Sequence, residues 1–236
     1  PADELITRYR AAATVEARCQ VLGELAPIGD PALVPLLLEI TAPDQDWKIR
    51  LFAAYALARS RAADLGATLL ERGTGEKSYR VAETYLLALA LRGERSQAVR
   101  LAQWAREKDS VLAAELKNRY PGETPSVAAW PATLKVSHLL VVRGLEVLVL
   151  LPDPGTSPDL IALLATGTSP SVRAAAALAL GKIPPSPEIA QALCASYRAA
   201  AGDPTAPQLW TAAIKALRQS GAPEAEAFLL SDAILE

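Results

Sequence analysis

The chain of 236 residues has no methionine, one histidine, two cysteines and only 5% aromatic residues. The lone His138 cannot supply a multi-histidine metal centre, and no HExxH pair is present. A Ser-His-Asp triad would need His138 as its base, and no GxSxG turn accompanies it. His138 therefore reads as an incidental helix residue. Cys19 and Cys194 stand at opposite ends of the chain without CxxC spacing, so they define neither a metal site nor a redox motif. Both read as small buried or half-buried residues, too far apart to bridge in an elongated fold. Long apolar runs are missing too. The most apolar stretch, 139–151, has 13 residues and contains Arg143 and Glu146, which is too short and too charged to span a bilayer. With no Met, the sequence reads as a fragment or a processed mature chain. No charged segment followed by an apolar run marks a leader. Localisation stays open between the cytoplasm and an exported, processed form.

An excess of one charge is also lacking. The 24 Lys+Arg face 26 Asp+Glu, a net of −2. Residues 1–120 carry 17 basic and 16 acidic residues, and residues 121–236 carry 7 and 10. Neither half has the surplus that neutralising a phosphate backbone requires, so no nucleic-acid partner is expected. Gly73-Thr74-Gly75-Glu76-Lys77-Ser78 lacks the GxxxxGK[ST] spacing of a phosphate loop and follows a helix, not a strand. It reads as a helix stop and the next helix start.

What is present is apolar and small. Hydrophobic residues make up 51% of the chain, mostly Ala, Leu and Val. Ala and Leu are among the best helix formers, so the composition favours a packed helical protein. Among the 18 prolines, those at helix starts act as punctuation, since a missing N–H costs nothing there. Breaks precede apolar helices at Gly29-Asp30-Pro31, Ser157-Pro158, Pro184-Pro185-Ser186-Pro187 and Gly221-Ala222-Pro223. The last of these is expected to run from Ala225 to Leu235.

One pattern recurs: a small apolar residue, Arg, two free positions, Ala, two free positions, then Ala-Leu. Its clearest copy is Val172-Arg173 to Leu180-Gly181, and a second is Ile49-Arg50 to Leu57. Looser copies run from Arg18 to Leu25, Arg80 to Leu87 and Arg143 to Leu150, and one with Trp210 in place of Arg closes on Leu217. The closing leucines are 32, 30, 63, 30 and 37 residues apart, with one degenerate repeat expected near 111–116. Such a period lies far outside the 3.6-residue period of a single amphipathic helix. Thr14, Asp46 and Ser169, each four residues before an Arg, are expected N-caps. Residues 121–131 hold three prolines and should form an irregular joint within one repeat domain covering 1–236, anchored by Val127, Ala129 and Trp130.

The run Ser169-Pro170-Ser171-Val172-Arg173 through Ala176, Ala179 and Leu180-Gly181 resembles a HEAT-like repeat of the phycobilisome-lyase type, as do residues 46–57 and the Gly29-Asp30-Pro31 linker. The resemblance implies an all-α, right-handed α-solenoid of about six to seven helix pairs, with the Arg-bearing helices lining the concave face. It says little about function, because the family is mainly one of interaction modules. Deoxyhypusine hydroxylase, a HEAT-like enzyme, holds iron with His-Glu pairs that this chain lacks. HEAT-like alkylpurine DNA glycosylases use a basic, Trp-bearing face, which the charge balance does not support. In such repeats the recurring Arg usually bonds an acidic or carbonyl group of the neighbouring repeat, making it a stacking element.

The free positions two and five residues after each Arg share one helix row. They place Phe52, Tyr55, Tyr85, Leu145, Leu148 and Leu178 on a surface expected to be exposed, unless the solenoid's own helices cover it. The expected function is a protein-binding scaffold or adaptor, not an enzyme, with another protein as partner and neither cofactor nor metal. One alternative is a lyase-like or regulatory module binding a small ligand such as a bilin in the same groove. A weaker one is nucleic-acid binding through a local Arg/Trp face.

Overall fold

Alanine-rich helices can approach one another closely, and the chain uses this throughout. The structure is a computed structural model that describes residues 2–231; among these there are thirteen α-helices and no strand. The chain divides into two compact units, Pro1–Gln97 and Ala98–Glu236.

The first unit contains α1 (Ala2–Ala11), α2 (Val15–Leu25), α3 (Val34–Ile40), α4 (Trp47–Arg59), α5 (Gly66–Gly75) and α6 (Tyr79–Arg92). Helices α2, α4 and α6 pack side by side in sequence order, and α1, α3 and α5 pack against them in turn. The second unit contains α7 (Ala98–Arg119), α8 (Ala132–Leu150), α9 (Ser157–Thr166), α10 (Pro170–Leu180), α11 (Pro187–Ala201), α12 (Pro207–Ser220) and α13 (Pro223–Ser231). Here α8, α10 and α12 form one layer and α7, α9, α11 and α13 the other. The part of the expected last helix beyond residue 231 lies outside the described residues.

The helix starts follow from local chemistry. Thr14, Asp46 and Ser169 each accept a backbone N–H of the first turn, from Ala17, Lys48 and Val172 respectively. Proline occupies the opening turn of α9, α10, α11 and α12. Gly29, after the short helical turn that extends α2, and Gly93, at the end of α6, take φ values of 62° and 67°. Only glycine adopts these without strain.

The place expected for a degenerate repeat, 111–116, lies within one 22-residue helix, α7. Residues 121–131 contain a single 3-10 turn, Val127–Ala129. The anchor there is Trp130, 4% exposed, packed with Leu112, Leu116 and Leu134. Its indole N–H donates to the Pro125 carbonyl at 2.8 Å. Val127 is partly buried against the same cluster, whereas Ala129 is exposed.

A close helix approach occurs at Gly181, where α10 ends against α12. A Cβ placed there would sit 2.7 Å from Ala216 Cα and 2.9 Å from its Cβ. Gly181→Ala should therefore lower stability by about 1–3 kcal/mol in chemical denaturation, as overpacking does. Gly202→Ala, with nothing within 4 Å of the added Cβ, should change it little.

Candidate functional site

In the first unit burial and capping share one spacing. The N-cap positions Thr14, Asp46 and Ser78 are 32 residues apart, and so are Leu25, Leu57 and Leu89, each 1% exposed or less. The outward-facing residues keep the same step. They are Glu16, Gln20 and Gly23 on α2; Lys48, Phe52, Tyr55 and Arg59 on α4; and Arg80, Thr84, Leu87 and Leu91 on α6.

This corrects the expected frame at α6. Its closing leucine is Leu89, not Leu87, so every position taken from Arg80 is displaced by two residues. Tyr85 then occupies the place of the fully buried Ala53 and is itself 1% exposed. Its Cβ lies 3.0 Å from the point where a Cβ on Gly73 of α5 would be. The same displacement occurs at α8: Leu148 is 2% exposed and Leu150 63%. Leu145, at 0%, and Leu148 are therefore core residues and not part of an exposed row. Leu178 on α10 is half-buried. Of the six expected surface residues, α4 brings two together in the open: Phe52 and Tyr55, 37% and 45% exposed.

The row on α4 has its own geometry. Phe52 rests over α2, its ring 3.8 Å from where a Cβ on Gly23 would stand. The Arg59 guanidinium sits over the Tyr55 ring, 5.9 Å from its centre, in a cation–π contact between two exposed side chains. The row carries three cations, Lys48, Arg59 and Arg80, against one acidic residue, Glu16. Lys48 and Glu16 are 4.0 Å apart and both exposed, an arrangement of small energetic weight.

The recurring arginines have different fates. Arg50 bonds both oxygens of Glu76 (3.1 and 2.9 Å) and the carbonyls of Pro43 and Gln45. Burial pushes the Glu76 carboxyl up, but the bonds from Arg50 and from the Ser78 and Lys77 backbone outweigh it and leave it lowered. Arg18 donates to the Ala12 carbonyl at 3.1 Å and lies over Tyr9. Arg143 bonds Glu146 on its own helix, and Arg80 is exposed.

His138 is not incidental to the fold. It is 4% exposed, edge-on to Trp130 with ring centres 5.5 Å apart, and 2.8 Å from Ser169 Oγ. Ser169 Oγ accepts the Val172 N–H and shares a second hydrogen bond with His138 Nε2, in which the tautomer of the ring sets donor and acceptor; His138 Nδ1 is buried without a partner. Nearby in sequence, Thr168 donates its N–H and hydroxyl to the buried Asp109 at 3.1 and 2.6 Å. Burial raises the Asp109 carboxyl, and these two bonds oppose it. The α9–α10 turn is thus held by α7 through Thr168 and by α8 through Ser169. The apolar stretch ahead concealed this, because the partner Ser169 is 31 residues away.

Among the described residues no group of His, Cys, Asp and Glu is placed to hold a metal ion, and no helix is long and apolar enough to cross a membrane. No family model matches the chain, and no curated protein matches it.

Burial lowers the His138 pKa, so the neutral ring is the form the fold accepts. A depressed folded value gives stability that is present above the unfolded pKa, about 6.5, and lost as pH falls through the folded value. Denaturation of the wild type and of His138→Gln across this range should show the wild type losing stability relative to the variant as pH drops. Parallel curves would contradict a buried neutral His138.

Proposed function

We propose that this protein is a scaffold of the HEAT-like kind, a right-handed α-solenoid of about six to seven helix pairs, that binds another protein through the outward row of α2, α4 and α6. In this reading the row lies on the concave side and receives an extended or helical segment of the partner. The observation that carries the proposal is the pair Phe52 and Tyr55, two large aromatic side chains kept in solvent on one helix face, with Leu91 on α6 75% exposed along the same row. Such side chains gain most when a partner covers them, and Tyr is prominent among residues that dominate interfaces. The cations Lys48, Arg59 and Arg80 favour a partner segment that mixes apolar and acidic residues, since complementary charge speeds encounter and selects register. The proposal includes no catalytic step.

The test separates the surface from the core. Partners recovered with the wild-type protein from its host should be identified, and binding to the purified partner measured for variants. Phe52→Ala and Tyr55→Ala should each weaken binding by ~2 kcal/mol, about thirtyfold, with circular dichroism unchanged. Tyr85→Ala should instead cost about 3–5 kcal/mol of stability, because it opens a cavity beside Gly73. A Phe52→Ala, Tyr55→Ala double variant that stays folded and binds its partner normally would overturn the proposal.

A further inference from the structure

Helices α4 and α10 are counterparts residue by residue. Asp46 and Ser169 cap them; Ile49 and Val172 are buried; Arg50 and Arg173 follow; and Leu57 and Leu180 close them, both 0% exposed. Their arginines differ in one respect. Arg50 Nε donates to Glu76, which stands two residues before the N-cap Ser78 of α6. The matching position, two before the N-cap Ala206 of α12, is Pro204, which carries no carboxylate. Arg173 Nε is buried and has no hydrogen-bond partner.

A second orphan stands on the adjacent helix. Ser196 Oγ, on α11, is also buried without a partner. Both residues line one pocket of about 220 Å³ between α9, α10, α11 and the start of α12. The rest of its wall is aliphatic, including Ile161, Leu164, Ala192 and Leu209. Asp203 is within electrostatic reach of Arg173; its Oδ1 accepts the Thr205 N–H and hydroxyl at 2.8 and 2.6 Å, and it makes no hydrogen bond to Arg173 Nε.

We infer that this pocket binds a short-chain aliphatic monocarboxylate, whose carboxylate takes from Arg173 the role that Glu76 fills for Arg50. A buried cationic N–H and a buried hydroxyl, both donors without an acceptor, call for an anion. The aliphatic wall selects an apolar body behind it. The volume matches that of about seven waters, which limits the ligand to a chain of a few carbons. The site lies in the second unit, whereas the row of α2, α4 and α6 lies in the first. It does not depend on the partner-binding reading.

The experiment is a titration of the full-length protein with hexanoate, followed by heteronuclear NMR, with hexan-1-ol as the neutral isostere. Hexanoate should produce saturable shifts centred on Arg173, Ala192 and Ser196, and hexan-1-ol should bind at least about tenfold more weakly, the cost of losing a charged hydrogen bond. Arg173→Gln should weaken hexanoate about tenfold and leave hexan-1-ol unchanged, while Arg173→Lys should recover part of the loss. Ser196→Ala gives an independent reading and should weaken hexanoate by a smaller factor. The wild-type comparison of the two ligands needs no variant to fold. Equal binding of hexanoate and hexan-1-ol, or no saturable shift at these residues, would overturn the inference.

Discussion

Small side chains at the helix contacts are the constraint on which this structure rests. Ala53, Ala54 and Ala56 on α4, and Ala176, Ala177 and Ala179 on α10, are each 2% exposed or less. With alanine at the contact, neighbouring helices sit close enough that a glycine is required where α10 meets α12. Alanine also buries little area per residue, so no single contact is worth much. The helices must then be held by other means as well, and the polar links between successive elements supply them. Arg61 reaches the carbonyls of Gly29 and Ile28, and Arg92 bonds the carbonyls of Ser60 and Ala62. Each link ties one helix end to a turn about 30 residues away.

The Arg50–Glu76 pair belongs to this set. Both side chains are 11% exposed, and Arg50 also satisfies two backbone carbonyls. A buried pair of this kind adds little net stability, because desolvation offsets the attraction. Its effect is on specificity: a buried guanidinium with four acceptors permits one arrangement of α4 and the turn before α6. Arg173 keeps the cation and the burial of Nε but not the carboxylate. The same repeat position therefore serves as a fastener in one unit and leaves an unsatisfied donor in the other.

Much of the fold is legible in the sequence because its signals are local. Prolines at helix starts, the caps Thr14, Asp46 and Ser169, and the Ala-Leu runs each act within a turn or two of themselves. The outward face was legible only where the frame was right. At α4 the Arg, the cap and the closing leucine agree, and Phe52 and Tyr55 are exposed as their positions imply. At α6 the leucine-rich end offers both Leu87 and Leu89 as closing residues, and Arg80 lies two residues before the position equivalent to Arg50. A two-residue shift turns a helical face through about 200°, which is why Tyr85 faces the core. Ser78, 32 residues after Asp46, was the signal that fixes the frame. At α8 the apolar residues surround the helix, so the pattern cannot distinguish Leu148 from Leu150. The Arg173–Ser196 pocket could not be read from sequence, since it depends on two side chains from different helices both lacking a partner.

The central claim is the 32-residue frame of the first unit, since it decides which aromatic residues meet solvent and which meet the core. Hydroxyl-radical footprinting of the intact protein, read by mass spectrometry, measures that directly. The frame predicts fast modification of Phe52 and Tyr55 and strong protection of Tyr85, which is 1% exposed. Modification of Tyr85 as rapid as that of Tyr55 in the folded protein would contradict it.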